Sequence, residues 1–325
     1  MAKLTFYDRT RIEYYLNIKE YSIRKTSKLI NRHHSVIVRE IKRNISKHLK
    51  HYDALLAQTE ADRKSRITNK RKLDKYPQLK KYIIEKLDLD WSPEQISGRL
   101  KKHPPPRLND YYVCPETIYD YIYTIDQYLY HKLRQKHYIR MKLKGKKTQI
   151  KKINIPDRVS IHTRSKQINK RTKLGDWETD LMEFSKQKDN LSVDIERLSR
   201  LVRIHKLKSK QADEKLDALN QTFRDLPDNL KQTLTFDNGT ENVKHKKLIK
   251  EHDIKTYFCD PYSSWQKGSV ENMNGLIRQY FPRKTNLQKT PHRIIYEVQE
   301  RLNNRPRKCL NYLTPNEIIN KQVVH

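Results

Sequence analysis

The stretch GDWETDLMEFSKQKDNLSVDIERLSRLVRIHKL, residues 175–207, decides the fold of the second half of this chain. Three runs within it, 177–184, 191–195 and 201–207, mix apolar and polar residues at short intervals. Short runs of this kind, separated by polar turn segments, are typical of β-strands with one buried face. The stretch therefore predicts three strands in a meander.

Helices and strands alternate after this meander. An apolar stripe at helical spacing predicts a helix over 209–224. Two more strands are predicted, and then three helices, at 232–236, 254–258, 268–280, 292–304 and 315–320. This order of elements is that of a ribonuclease H-like α/β domain, which we expect over residues 174–325.

Three acidic residues occupy notable positions in that order. Asp180 is on the first strand, Asp237 directly follows the fourth, and Glu271 is on a later helix. Three carboxylates from distant segments can hold Mg²⁺ against a phosphate. The alternative is that Asp237 caps a turn in Asp-Asn-Gly and Glu271 is a solvated helix charge. Asp176 and Glu178 are nearby in the sequence and rank below Asp180 as candidates.

The chain is strongly basic. Its formal net charge is +32, with 70 Lys and Arg against 38 Asp and Glu, and residues 1–170 carry +24 of it. Such an excess favours a polyanionic partner, because each neutralised phosphate releases counterions. We therefore expect the front half to bind double-stranded DNA.

Other classes of protein are disfavoured. The three cysteines lie far apart without metal-ligand spacing, and six glycines supply no phosphate-binding loop. No apolar run is long enough to span a membrane, and no leader is evident at the start. A reducing cytoplasm is therefore expected.

Residues 1–50 predict a helix-turn-helix DNA-binding domain. Helices are expected over about 7–17, from Ser22 with Leu29 and Ile30 inward, and over 35–43. The third helix has a basic outer face suited to the major groove of DNA. Its candidate contacts are Ser35, Arg39, Lys42 and Arg43. A three-helix bundle with a solvated face is the alternative.

A second helical region follows. Residues 51–90 predict connecting helices, with 52–75 exposed, and residues 91–130 predict a second helix-turn-helix that includes Thr117 as a DNA contact. Ser92 as N-cap, Pro93 and Gln95 form a capping-box signature at its start. A plain helical hairpin is the alternative for this region.

Residues 131–173 contain 16 basic residues and one acidic residue. Because the positive charges in such a run repel one another, we expect an extended interdomain arm. The arm would either lie along DNA or be a solvated linker. Its candidate DNA contacts are Lys142, Lys144, Lys146 and Lys147.

Several sequence motifs carry a family resemblance. They are HHSVIVREIKRN, WSPEQISGRL, PETIYDYIY, GDWETD, DNGTEN, DPYSSWQKGSVENMNGLIRQYFP and RPRKCLNYLTPNEI. With them the chain resembles bacterial insertion-sequence transposases of the IS-thirty (IS30) family, within the DDE transposase and integrase superfamily. One departure is Thr179, where the family commonly has glycine.

The resemblance implies an enzyme that binds the terminal inverted repeats of its element, cleaves there, and joins the ends to target DNA. Asp180, Asp237 and Glu271 would be the catalytic and metal-binding residues, holding two Mg²⁺ ions for which Mn²⁺ substitutes. A homodimer or higher oligomer would hold two ends together. Arg278 and Asn274, on the face of Glu271, are accessory candidates, and Arg278 would pair with the glutamate or reach a DNA phosphate. Trp265 and Lys267, before that helix, would contact a base and a phosphate. The alternatives are a catalytically inactive repressor and an RNA-binding protein.

Overall fold

The computed structural model describes residues 4–44, 51–68, 71–133, 155–261 and 263–323. The chain forms two compact units, Met1–Pro77 and Gln78–His325. None of the described helices is long and apolar enough to cross a membrane.

The first unit is helical throughout. Its helices are α1 Phe6–Glu13, α2 Ile23–Ile30, α3 His34–Asn44, α4 Ala54–Thr68 and α5 Lys72–Lys75, and a π-helical segment Tyr14–Ile18 follows α1. The Ser22 hydroxyl caps α2 by accepting from the backbone N–H of Lys25, as predicted. Asn31 ends α2 with a left-handed φ of 57°, which confirms the predicted tight turn before α3.

The core of the first unit differs from the predicted one. Leu29 is 42 % exposed, so its predicted inward position is wrong, and Thr26 and Ser27 are buried instead. The prediction of an exposed 52–75 helix also fails in part, because Tyr52 and Ala57 are buried in the core.

A buried ion pair ties three segments of this unit together. The Arg9 guanidinium donates to Glu40 Oε1 at 2.7 Å, and the Tyr52 hydroxyl donates to the same carboxylate at 3.2 Å. A buried carboxylate needs such donors. Helix α3 is therefore fixed by its buried face, and its basic outer face is left exposed.

The second unit begins with three helices, α6 Pro77–Asp88, α7 Pro93–Lys102 and α8 Pro115–Thr124. Ser92 and Gln95 form both hydrogen bonds of the predicted capping box at α7. Arg99 of α7 makes two hydrogen bonds to the carboxylate of Glu317, and a Cβ at Gly98 would collide with the Tyr312 ring. Helix α7 is thereby packed against the C-terminal segment.

The predicted extended arm is only partly described, since residues 134–154 lie outside the described part of the chain. Its later part is packed on the α/β domain and is not extended. Ile155 is buried in the core, Ser160 forms a parallel bridge with Phe258, and Arg164 donates to the Thr235 hydroxyl. These partners offset the charge repulsion on which the prediction rested. A short helix, α9 Lys166–Lys170, precedes the sheet.

The sheet has five strands in the order β3-β2-β1-β4-β5. They are β1 Asp176–Glu183, β2 Asn190–Glu196, β3 Val202–Leu207, β4 Thr233–Phe236 and β5 Lys255–Phe258. The first three strands pair antiparallel as a meander, whereas β4 and β5 run parallel to β1. The predicted meander is confirmed, and the five strands follow one another along the chain as predicted.

Helices cover both faces of the sheet. They are α10 Ala212–Phe223, α11 His245–His252, α12 Gly268–Tyr280, α13 His292–Asn303 and α14 Pro315–Val323. One core joins the sheet to α12 and α13 through residues such as Met182 and Ile277. The other joins it to α10 and α11 through residues such as Trp177 and Phe223. Each face of β1 therefore looks into a different core.

Candidate active site

Two aspartates lie side by side at one edge of the sheet. Asp180 is in β1, and Asp237 directly follows β4. The parallel register pairs Glu178 with Thr235, so the same register two residues further on sets Asp180 opposite Asp237. Parallel strands end at a common edge, where open α/β sheets bind their ligands.

The ammonium of Lys267 lies between the two aspartates. Its Nζ is 2.8 Å from Asp180 Oδ1 and 3.3 Å from Asp237 Oδ2. Burial alone would lower the pKa of Lys267, but the carboxylates of Asp237 and Asp180 outweigh it and raise that pKa. Burial acts to raise the pKa of Asp237, yet the nearby Lys267 charge leaves it below its ordinary value.

The remaining carboxylate oxygens are held by amides. Asn274 donates to Asp180 Oδ2 at 2.6 Å, and Asn242 donates to Asp237 Oδ1 at 2.8 Å. The backbone N–H of Gly239 also donates to Asp237 Oδ1, so the predicted turn-capping role of this aspartate is present alongside its place in the site. The side-chain carbonyl oxygens of Asn242 and Asn274 are buried and accept no hydrogen bond from the described residues.

Glu271, the third predicted acid, makes no described contact with this pair. It lies in the first turn of α12, is exposed, and forms no hydrogen bond or ion pair within the described part of the chain. Asn274, three residues further on and bonded to Asp180, shares a face with Glu271. No group of three His, Cys, Asp or Glu side chains among the described residues is arranged to hold a metal ion.

Glu178 has a structural role that the sequence did not reveal. Its side chain is fully buried and accepts from Arg197 Nε at 2.9 Å. It also accepts from the backbone N–H groups of Ser269 and Val270, at the start of α12. A carboxylate at a helix N-terminus satisfies unpaired N–H groups and complements the helix dipole. Glu178 thus joins the strand of Asp180 to the helix of Glu271.

A second buried lysine approaches β1 from the opposite face. Lys215 of α10 donates to the hydroxyls of Thr179 and Ser192 at 2.6 and 2.5 Å and lies 3.4 Å from Asp194. Thr222 donates to the other oxygen of Asp194. Thr179, the predicted departure from the family pattern, is therefore part of a buried polar network.

The other accessory candidates, Arg278 and Trp265, make no described contact with the aspartates. Arg278 donates to the carbonyl oxygens of Glu183 and Phe281 and lies over the ring of Phe184, and it does not pair with Glu271. Trp265 is 74 % exposed, within the short 3₁₀ segment Ser264–Lys267 that leads into α12.

The candidate DNA contacts fall into three groups. On α3, Arg39, Lys42 and Arg43 are exposed, and Arg39 donates to the carbonyl and hydroxyl oxygens of Ser35. Thr117 is half-buried, with its hydroxyl 3.1 Å from the Cys114 sulfur. The four arm lysines, Lys142, Lys144, Lys146 and Lys147, lie outside the described residues.

Two known domain families match parts of this chain. A helix-turn-helix domain family matches residues 2–44, and an integrase core domain family matches residues 171–264. The catalytic core domain of BIV integrase overlays 46 % of this chain and 95 % of its own, at 20 % identity and a TM-score of 0.36, a value too low to bear on function.

Three transposases are similar over most of the chain. Transposase InsI of element IS30A from Escherichia coli K12 is 38 % identical, over 99 % of this chain and 85 % of its own length. The transposase of IS1086 from Cupriavidus metallidurans is 35 % identical, over 96 % and 92 %. That of IS4351 from Bacteroides fragilis is 35 % identical, over 90 % and 87 %.

The folds and the matched domains define a DNA-binding helix-turn-helix protein with an integrase core. With relatives this similar over nearly its whole length, the chain belongs to the IS30 family of DDE-type DNA transposases.

Proposed function

We propose that this transposase binds the terminal inverted repeats of its own insertion sequence and cleaves and joins DNA strands at Asp180, Asp237 and Glu271. The observation that carries this assignment is the convergence of Asp180 and Asp237 on one cation, at 2.8 and 3.3 Å. Two carboxylates from different strands that share a positive charge at the ligand-binding edge of a sheet form a site for cations.

The residues present fit a divalent metal ion. The Lys267 ammonium is a stand-in cation between the two carboxylates. The unpartnered side-chain oxygens of Asn242 and Asn274 add neutral acceptors next to the aspartates. An all-oxygen donor set suits Mg²⁺, and Mn²⁺ accepts the same ligands. Asp180, Asp237 and Glu271 would hold two such ions.

Bound divalent ions would activate a water or a DNA 3′-hydroxyl and stabilise the leaving oxygen. The protein's own part is to orient the aspartates. Asn274 fixes one oxygen of Asp180, and Asn242 fixes one oxygen of Asp237, so each carboxylate is held in one rotamer before substrate arrives. Glu178 holds the start of α12, the helix that carries Glu271 and Asn274.

DNA recognition is proposed for the exposed basic face of α3, with Arg39 and Arg43 as contacts. An arginine reading guanine edges contributes about 1–3 kcal/mol of discrimination, whereas a phosphate contact weakens all sequences alike. Joining two ends of one element requires both to be held at once, which supports a homodimer or a larger assembly.

The test uses purified full-length protein, Mg²⁺ and a duplex that carries the inverted repeats flanking the gene. Specific strand cleavage at the repeat ends is expected, and none with EDTA or with a duplex of scrambled end sequence. Binding to the repeats without any metal-dependent cleavage would contradict the proposed chemistry, and cleavage of both duplexes alike would contradict the proposed end recognition.

A further inference from the structure

Lys267 is more deeply built into the site than a surface lysine that merely reaches DNA would be. Its side chain is 8 % exposed. Its ammonium has three hydrogens and three acceptors within reach, namely Asp180 Oδ1, Asp237 Oδ2 and the Thr179 carbonyl at 3.0 Å. The two carboxylates would repel each other without this charge between them.

We propose that Lys267 is an internal counter-ion that occupies the aspartate oxygens until a divalent ion displaces it. The ammonium and the ion would compete for the same two oxygens, Asp180 Oδ1 and Asp237 Oδ2. This inference rests on the proposed function, because it assumes that the ion binds between these aspartates.

The geometry allows the displacement. Asp180 and Asp237 have side chains that are 26 % and 41 % exposed, so an ion can reach them from solvent while Lys267 is in place. Lysine has a flexible four-carbon stem that can withdraw its ammonium. Lys267 is also the last residue of a short 3₁₀ segment, and a side chain at the next position, Gly268, would meet open space.

Competition has a measurable consequence for metal affinity. If Lys267 occupies the oxygens in most molecules, the ion binds only to the remaining fraction, and its apparent affinity is reduced by that fraction. Removing the ammonium should therefore tighten metal binding. It should also lower the melting temperature of the metal-free protein, because the two carboxylates are then left facing each other.

The first experiment measures Mn²⁺ binding to the full-length, metal-stripped protein by calorimetry, without DNA. Lys267→Met is expected to bind Mn²⁺ about tenfold more tightly than wild type, which corresponds to Lys267 occupying about nine-tenths of free sites. The matched control is Lys210→Met, which removes an exposed lysine that pairs with Glu183 and not with the aspartates. Unchanged or weaker binding by Lys267→Met, or equal tightening by Lys210→Met, would overturn the proposal.

A second measurement uses the wild-type protein and does not depend on whether a variant folds. An amine-acylating reagent followed by mass spectrometry reports how accessible each lysine is. Lys267 should be protected without metal and acylated several times faster with Mg²⁺, whereas Lys215, sealed on the other face of β1, should stay protected in both states. Equal or slower acylation of Lys267 with Mg²⁺ would overturn the displacement.

The two ways of failing are distinguishable. Metal that binds to wild type with an affinity unchanged in Lys267→Met leaves the proposed metal site standing and removes only the competition. The absence of metal binding in both proteins overturns the metal site of the proposed function, and this inference with it.

Discussion

Strand β1 has a buried lysine on each of its faces, and the two lysines have different surroundings. Lys215 is 2 % exposed, and its partner Asp194 is fully buried. Lys267 is nearly as buried, yet its partners Asp180 and Asp237 reach solvent. Both faces contain the same chemistry, an ammonium with carboxylate and hydroxyl or carbonyl oxygens. The difference lies in whether solvent reaches the carboxylates. The buried Lys215–Asp194 pair is structural, whereas the site of Lys267 can exchange its cation.

The largest expected effect is on strand cleavage, at the face of β1 where Asp180 and Asp237 reach solvent. Asp180→Asn, Asp237→Asn and Glu271→Gln should each abolish strand cleavage while DNA binding is retained, because each keeps the shape of a metal ligand and removes its charge. The loss should exceed the roughly 10–100-fold typical of substitutions at residues that only hydrogen-bond a metal ligand. Cleavage assays paired with gel shifts measure both properties.

The control for these variants is Glu183→Gln, which alters an exposed carboxylate on the same strand that pairs with Lys210. It should cleave as wild type does. Near-normal cleavage by Asp180→Asn, Asp237→Asn or Glu271→Gln would remove that residue from the site.

On the opposite face of β1, where Lys215 and Asp194 are buried, a substitution should lower the free energy of unfolding. Lys215→Met leaves Asp194 as an uncompensated buried charge, and breaking such a pair costs about 3–5 kcal/mol. Denaturant unfolding should show this loss, with a smaller loss for Lys267→Met, whose carboxylates can be solvated. A larger loss for Lys267→Met than for Lys215→Met would reverse the comparison between the two faces.

An intermediate effect is expected at Glu178, which lies on the face of Asp180 but is sealed. Glu178→Gln removes the charge that pairs with Arg197 and weakens the cap of α12, at a cost of about 1–3 kcal/mol. Cleavage should fall by roughly tenfold to a hundredfold, the size of effect that slight misplacement of Glu271 produces. The affinity of Glu178→Gln for a metal ion at Asp180 and Asp237 should equal that of wild type within experimental error. A large change in that affinity would make Glu178 part of the metal site.

The smallest effect is expected at Thr179. Its hydroxyl donates to Asp194 at 2.5 Å and accepts from Lys215 at 2.6 Å. Thr179→Val keeps the shape and removes both bonds, so unfolding should become easier by about 1–2 kcal/mol. Cleavage per folded molecule should not change, since this hydroxyl points away from Asp180. A loss of cleavage without a loss of stability would place Thr179 in the catalytic machinery.

Much of the site's framework could be predicted from the sequence. Strand periodicity predicted the meander, and the order of elements placed Asp180 on the first strand and Asp237 directly after the fourth. That these two strands are parallel neighbours came from the structure. The capping box at Ser92 and the turn at Asn31 were equally visible, because each depends on residues within a few positions. The prediction of an extended arm is wrong over 155–173, because Arg164 hydrogen-bonds Thr235 of β4 and Ser160 bridges to Phe258 of β5, partners that the local sequence does not contain.

The sequence by itself determined the class of fold, the order of its elements and which elements carry the three acids, because these follow from local periodicity. Only the tertiary structure decided the roles of Lys267, Lys215 and Glu178. Their partners Asp180, Asp194 and Ser269 are 87, 21 and 91 residues away. A charged side chain can belong to a functional site, stabilise the core or cap a helix. Which of these it does depends on the distant groups that surround it and on how much water they exclude.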